Sequence, residues 1–333
     1  MSEEIRWGIV GPGRIAENVV KDFAVVDGAR AVAVASRSLD RAQAFAGRHD
    51  IDRAHGSYAE ILADPDVDVL YLATPHSQHH ALALGALRAG KALLVEKAFT
   101  ATTAGAVEIV DLARETGVFV MEAMWTRFQP AVVALRELVA DGAIGEVRSV
   151  QADLGVSREY DPADRLFDLA LGGGALLDLG VYVASFAQML LGTPERVVAA
   201  GSLFASGADA EATLLLDYAD GRTAALMTSL RNALPGQARV FGTTGWIDVL
   251  PRFHHPTTIV LHRAGAEPET ITRQPIGAGY AHELIEVNEC LRAGRSESTV
   301  MPLADTLAVQ TLLGEAAEQL GVRHAEDPAV LVG

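Results

Sequence analysis

The sequence predicts an α/β protein in which an N-terminal doubly wound parallel sheet is followed by an α/β domain with a large, mostly antiparallel open sheet. Three observations predict it. A short apolar run ending in glycines opens the chain, apolar runs alternate with helix-patterned stretches as far as residue 122, and stretches of alternating polarity dominate from residue 124 onward. A chain of 333 residues is too long for one ordinary core, which agrees with two domains, 1–123 and 124–333.

The apolar run from Ile5 to Val10 reads as the first strand. Gly11-Pro12-Gly13-Arg14-Ile15-Ala16 then turns directly into a helix over Ile15 to Val26, whose Ile15, Val19, Val20 and Phe23 share one face. Gly11 allows the tight turn, Gly13 lets backbone approach a pyrophosphate, and Ala16 stands where close helix packing tolerates only Gly or Ala. The first N–H groups of the helix would face phosphates. About twenty residues on, Arg30 to Ser36 reads as a second buried strand, where an acidic residue would bind the ribose hydroxyls of NAD. Ser36-Arg37-Ser38 stands there instead. A guanidinium between two hydroxyls suits a 2′-phosphate, which favours NADP, with NAD and a merely solvated Arg37 as the alternative.

Helix patterns over Asp40 to Arg48 and Ser57 to Leu62 precede the strand Val67 to Ala73, whose unbroken apolar run suits a parallel strand covered on both faces. Thr74-Pro75-His76 ends it. A helix follows over Ser77 to Ala89, closing at Gly90, then a strand from Ala92 that ends in Glu96 and Lys97, a helix over Thr103 to Thr116 and a strand over Val118 to Glu122. Ligands of such sheets bind outside the carboxyl ends of the strands, where Gly11, Ser36, Thr74, Lys97 and Glu122 all lie. Past Glu122 come a helix over Pro130 to Ala140 and alternating segments over Glu146 to Val156, Arg196 to Phe204, Ala212 to Tyr218, Thr223 to Ser229, Ala238 to Phe241 and Thr258 to His262. The last two helices, Tyr280 to Arg292 and Leu303 to Leu320, are expected to pack on this second body.

A formal charge of -16 argues against general affinity for nucleic acid or anionic membranes and leaves small molecules as the expected partners. The single cysteine, Cys290, forms no internal disulfide, and Met1-Ser2-Glu3-Glu4 lacks the features of a signal peptide, so a cytoplasmic location is expected. The apolar stretch Ala175 to Gly192 contains Asp178, Ser185 and Gln188 and has no flanking charge anchors, so it reads as a buried core helix. The histidines of His76-Ser77-Gln78-His79-His80 and of Arg252-Phe253-His254-His255 have no carboxylate ligand in pattern, and no metal is expected.

Gly172-Gly173-Gly174 lets backbone approach a ligand ahead of a helix on which Asp178 and Tyr182, four apart, share a face. A carboxylate and a phenol on an otherwise apolar helix are costly unless paired or used. Two roles fit the pair equally: a core tyrosine bonded to Asp178, or a catalytic couple.

The Gly11 to Ala16 turn, the strand end Glu96-Lys97, the run Glu122-Ala123-Met124-Trp125-Thr126-Arg127-Phe128 and the run Gly172 to Tyr182 resemble the glucose-fructose oxidoreductase and inositol dehydrogenase family. The last two runs most resemble its dimeric dihydrodiol dehydrogenase and NADP-dependent sugar dehydrogenase branch, and the likeness spans almost the whole chain. The resemblance implies a Rossmann first domain and a second domain that binds substrate and mediates a homodimer or homotetramer through its open sheet. It implies cofactor contacts from Gly11, Gly13, Arg14, Ile15, Ser36, Arg37, Thr74, Pro75, His79, Glu96 and Lys97. By the same resemblance, Lys97 carries the family's lysine and Tyr182 the proton-transferring residue of the branch. Trp125, Arg127, Phe128 and Tyr182 would line the substrate pocket, with Arg127 as a structural anchor the alternative. One departure stands out: the family commonly has Glu-Lys-Pro, and Ala98 in third place gives up a fixed φ.

The expected reaction is hydride transfer between NADP(H) and a CH–OH or carbonyl group of a sugar, cyclic polyol or trans-dihydrodiol. A proton must move at the oxygen, and Tyr182 can move it if the Lys97 ammonium lowers its pKa, with Asp178 orienting one of them. Two other readings are an NADP-binding sensor without turnover and a redox-neutral enzyme that uses a tightly held nicotinamide transiently.

Overall fold

A computed structural model describes residues 4–331; the Met1-Ser2-Glu3 start lies outside them. The chain divides into two compact units. The first comprises the residues up to Ala123, Ile276–Thr306 and the segment from Ala325 onward, and the second Met124–Pro275 and Leu307–His324. The sequence predicts one crossing, after residue 123; the chain also crosses back, and the helix over Ala281–Arg292 belongs to the first unit. Contacts distant in sequence explain the difference. Trp7 Nε1 donates to Asn288 Oδ1 at 3.2 Å. The buried Asp22 carboxylate accepts from the N–H groups of Ala278, Tyr280 and Ala281 at 2.8–2.9 Å. Buried polar groups such as these are expensive to leave unmet, so they tie the returning segment to the N-terminal helix.

The first unit holds six strands, β1 (Ile5–Val10), β2 (Ala29–Ala35), β3 (Arg53–His55), β4 (Val69–Leu72), β5 (Ala92–Glu96) and β6 (Val120–Ala123), in the order β3-β2-β1-β4-β5-β6. Every pair is parallel. Between them run α1 (Arg14–Asp22), α2 (Leu39–His49), α3 (Tyr58–Leu62), α4 (His76–Arg88) and α5 (Thr103–Thr116). All four residues of β4 are fully buried, as two covered faces require. Ser38, Ser57 and Thr102 cap α2, α3 and α5 by accepting from the third residue beyond each. The predicted helix to Val26 stops at Asp22 and continues as one 3₁₀ turn, Phe23–Val25. The strand β3 is unpredicted because it is three half-buried, mainly polar residues at the sheet edge.

The second unit contains α6 (Pro130–Ala140), β7 (Val147–Gly155), α7 (Val181–Leu191), β8 (Arg196–Leu203), β9 (Asp209–Asp217), β10 (Thr223–Ser229), β11 (Ala238–Gly242), β12 (Gly245–Val249), β13 (Thr258–Arg263) and β14 (Glu269–Thr272). The eight strands lie in the order β14-β13-β12-β11-β7-β10-β9-β8, antiparallel except between β7 and β10. The helix α7 packs on β7 and β10. Sequence periodicity misses β12, where Gly245 and the exposed Trp246 blur the alternation, and β14, which is short and exposed. After α8 (Ala281–Arg292), α9 (Leu303–Leu320) begins in the first unit and continues in the second. In the second unit its Gln319 completes the edge strand β8: Ala199 N donates to Gln319 Oε1 and Gln319 Nε2 donates to Val197 O, each at 2.9 Å. The segment Leu169–Leu191 is long and apolar enough to cross a bilayer, and 78% of its apolar window is buried inside the protein.

Candidate active site

The sequence-predicted residues of the first unit gather at the carboxyl ends of its parallel strands. Gly11 has φ +90, and a Cβ on it would meet Thr74 Cγ2 at 2.9 Å and Ala73 O at 3.1 Å, so glycine is required there. Gly13 differs. A Cβ on it would meet only Ala73 O, at 3.9 Å, so protein packing does not demand glycine and the space in front of it stays clear. No side chain caps α1 among the described residues, and Arg14 is exposed at its start with Ile15 half-buried behind. The Thr74 hydroxyl is buried without a hydrogen-bond partner in the protein. Uncapped helix N–H groups, a glycine whose missing Cβ nothing else fills and an orphaned hydroxyl together fit a dinucleotide phosphate cradle.

Beyond β2, Ser36 Oγ accepts from Ser38 N at 3.3 Å and Ser38 Oγ from Arg41 N at 3.4 Å, so both hydroxyls shape the turn while Arg37 is exposed. Burial raises the Tyr58 pKa, and the guanidiniums of Arg37 and Arg41 both pull against that rise. Arg41 therefore acts on Tyr58 together with Arg37. Its position on the first exposed turn of α2 was the available sequence signal.

At the end of β5, Glu96 Oε1 accepts from Tyr71 OH at 2.5 Å and Glu96 Oε2 from Lys97 N at 3.2 Å. Burial pushes the Tyr71 phenol far up, and Glu96 and Glu283 add to the rise, so it remains a proton donor. Burial, reinforced by Glu96 and Asp22, also pushes Glu283 well above the usual carboxylate range. Lys97 is half-buried, and the Lys97–Ala98 peptide is cis. Pro75 caps α4, and His79 on its first turn is fully buried between the loops that follow β4 and β5.

In the second unit, the 3₁₀ turn Trp125–Phe128 packs on α6 and α7. The buried Arg127 donates through Nε to Ser185 Oγ at 3.1 Å and through Nη2 to Gln188 Oε1 at 2.6 Å, which anchors the turn to α7. Phe128 is buried beside it. Trp125 lies with its ring centroid 5.0 Å from that of His255, and Tyr182 lies 5.1 Å from His254. Thr126 Oγ1 donates to His254 O at 2.6 Å. Burial and the Arg252 guanidinium hold His255 below its usual pKa. Metal-ligand spacing gives no hint of this aromatic cluster; the only local signal is the neighbouring Phe253.

The segment carrying Asp178 and Tyr182 is not one regular helix. Leu176–Gly180 is a π-helical turn leading into α7. Thr228 Oγ1 donates to the Ala175 carbonyl at 3.3 Å beneath it. Asp178 Oδ1 accepts from Arg165 Nη2 at 3.1 Å. The glycines ahead of the turn admit protein groups. Gly174, at φ +126, abuts the buried Asp209, whose Oδ2 accepts from Leu176 N at 2.6 Å. His324 faces the Gly173 carbonyl at 2.9 Å.

Residues 5–124 match the oxidoreductase family with an NAD-binding Rossmann fold, and residues 132–248 match the GFO/IDH/MocA C-terminal domain. Trans-1,2-dihydrobenzene-1,2-diol dehydrogenase of Bos taurus is 38% identical over 333 residues, covering 97% of this chain and 99% of its own. The chain belongs to the GFO/IDH/MocA oxidoreductase family. Among solved structures, the aldose-aldose oxidoreductase of Caulobacter crescentus, complexed with glycerol, is 26% identical with a TM-score of 0.87, covering 96% of this chain and 98% of that one. The 3-ketoreductase of Actinomadura kijaniata, complexed with NADP and TDP-benzene, is 26% identical with a TM-score of 0.84, covering 98% and 100%.

Burial raises the Asp209 carboxyl to about 6 against the opposing backbone N–H bonds. Its folded value lies above its ordinary one, so stability is full below about pH 4 and is lost as the pH rises through 6. Asp209→Asn keeps an acceptor for Leu176 but cannot titrate. Urea unfolding of parent and variant should therefore show the parent gaining roughly 1 kcal/mol relative to the variant between about pH 8 and about pH 5. A constant difference across that range would contradict the assignment.

Proposed function

We propose that the protein is an NADP-linked dehydrogenase or reductase of polyhydroxylated small molecules, a sugar, cyclic polyol or trans-dihydrodiol. Tyr182 acts as general acid/base and Lys97 assists it. The observation that supports the reading is that the uncapped start of α1, the clear space at Gly13 and the unpartnered Thr74 hydroxyl lie at the strand ends of a chain that belongs to this family. A bound nicotinamide supplies the hydride chemistry. The backbone of Gly11 to Ile15 and the Thr74 hydroxyl bind and orient it, with Pro75 shaping the loop. Glu96, held by Tyr71, supports the Lys97 backbone. Lys97 holds the reacting oxygen, and Tyr182 delivers or removes the proton there. Asp178, bonded to Arg165, orients the Tyr182 turn, while Trp125 and Phe128 provide apolar surface for a ring-shaped substrate. We assign Arg127 to anchoring, in keeping with its hydrogen bonds to α7. A location in the cytoplasm, without a membrane or nucleic-acid partner, accords with the acidic charge.

NADP is preferred over NAD on this reading because Arg37 and Arg41 flank the end of β2 where NAD enzymes place a carboxylate. The subunits associate as a homodimer or homotetramer through the open face of the second sheet. That face exposes Val198, Leu215 and Trp246, and Val198 and Leu215 are cross-strand partners.

Screening aldoses, inositols and dihydrodiols with NADP, followed by absorbance of the reduced cofactor, should identify a substrate. With it, Tyr182→Phe and Lys97→Met should each keep NADPH binding and lose roughly two orders of magnitude or more in turnover; normal turnover by either variant removes its assigned role. Replacing both Arg37 and Arg41 by Ala should raise KM for NADP at least about tenfold and leave KM for NAD nearly unchanged. Equal rates with both cofactors in the parent would defeat that assignment. Leu215→Arg should shift the sedimentation coefficient to that of a monomer, and a parent that already sediments as a monomer would rule out association.

A further inference from the structure

His79 is fully buried, and both of its ring nitrogens face carbonyl oxygens: Nε2 lies 2.9 Å from Thr74 O and Nδ1 lies 3.1 Å from Ala98 O. A neutral imidazole has one N–H and one lone pair. Between two carbonyls it would satisfy one and aim its lone pair at the other, placing two acceptors at hydrogen-bond distance. The imidazolium has an N–H for each, and bonds from a charged donor are the stronger kind. Full burial of the ring and the N-terminus of α4 both oppose a positive charge, and the two direct carbonyl acceptors are what offset them.

We propose that His79 is an imidazolium clamp that ties the loop after β4 to the loop after β5 and thereby fixes the position of Lys97. This rests on the role given to Lys97 above. His79 is a positioning residue here, acting through the backbone on either side of the lysine. The placement also answers the departure at Ala98. His79 restrains Ala98 through its carbonyl, which any side chain at that position permits. Titratable groups on the elements packed around the ring are His76 and His80 on α4, Glu108 on α5, Glu96 and Lys97 ahead of Ala98, and Asp327, which accepts from Gln78 on α4. Glu326 accepts from Thr102 further along the same loop.

The charge is tested on the full chain by nitrogen NMR of histidine labelled with ¹⁵N at about pH 8, where an ordinary histidine is mostly neutral. The His79 signals, identified by their loss in His79→Gln, should show both ring nitrogens protonated; one protonated and one bare nitrogen overturns the clamp. Glutamine reaches only one of the two carbonyls. Turnover of His79→Gln at saturating NADPH should therefore fall about tenfold or more. Unchanged turnover, or a loss confined to NADPH binding, overturns the positioning of Lys97 even if the ring proves charged. The ring signature is read on the parent chain, so it stands or falls separately from the activity of Lys97→Met.

Discussion

Every strand of the first unit runs in the same direction, so every strand leaves the sheet at the same edge. There the ladder ends, and each peptide group must find a partner in a turn, a side chain or a ligand. The chain meets most of these demands itself. Gly11 N donates to Ala35 O at 3.0 Å, Ala73 N to Val10 O at 2.8 Å and Ser36 N to His55 O at 3.2 Å. His79 serves the carbonyls of Thr74 and Ala98. Among the described residues, the groups left over include the start of α1 and the Thr74 hydroxyl, which define a face that can accept a ligand.

The second unit solves a different problem: it must present polar groups from an apolar segment. The buried Asp209 carboxylate anchors the start of that segment, the π-helical turn sets the register of the helix after it, and α7 lies against β7 and β10. Hydrogen bonds to Ser185 and Gln188, the polar residues that distinguish α7 from a membrane span, hold Arg127 and its turn. Composition thus serves packing and site geometry at once.

The sequence makes legible those features that are local. The glycine turn, the apolar β4 and the alternation of β9 and β10 each declare themselves within ten residues, and both sheets can be inferred from them. Short or polar edge strands such as β3 and β14 do not, because burial on one side leaves too little pattern. The π-helical turn is invisible for a related reason: a register change depends on Thr228 and Asp209, which come from later strands. Among site residues, the strand-end positions could be read from where strands stop. His254 beside Tyr182 and the two acceptors of His79 could not, since each is a relation with a distant segment. Arg127 shows the limit from the other side. Its residue type suggests substrate binding, while its buried hydrogen bonds show that it holds the 3₁₀ turn to α7.

The path of the chain has a consequence for modularity. Because the first unit regains Ile276–Thr306 and the segment from Ala325 onward, its core is assembled from three stretches of one gene. A graft of this cofactor domain onto a relative's catalytic half cannot be made by a single splice after Ala123. That joint would leave Asp22 without its three N–H donors and Trp7 without Asn288. A graft must therefore carry α8 with the glycine turn and not with the sheet that precedes it in the sequence.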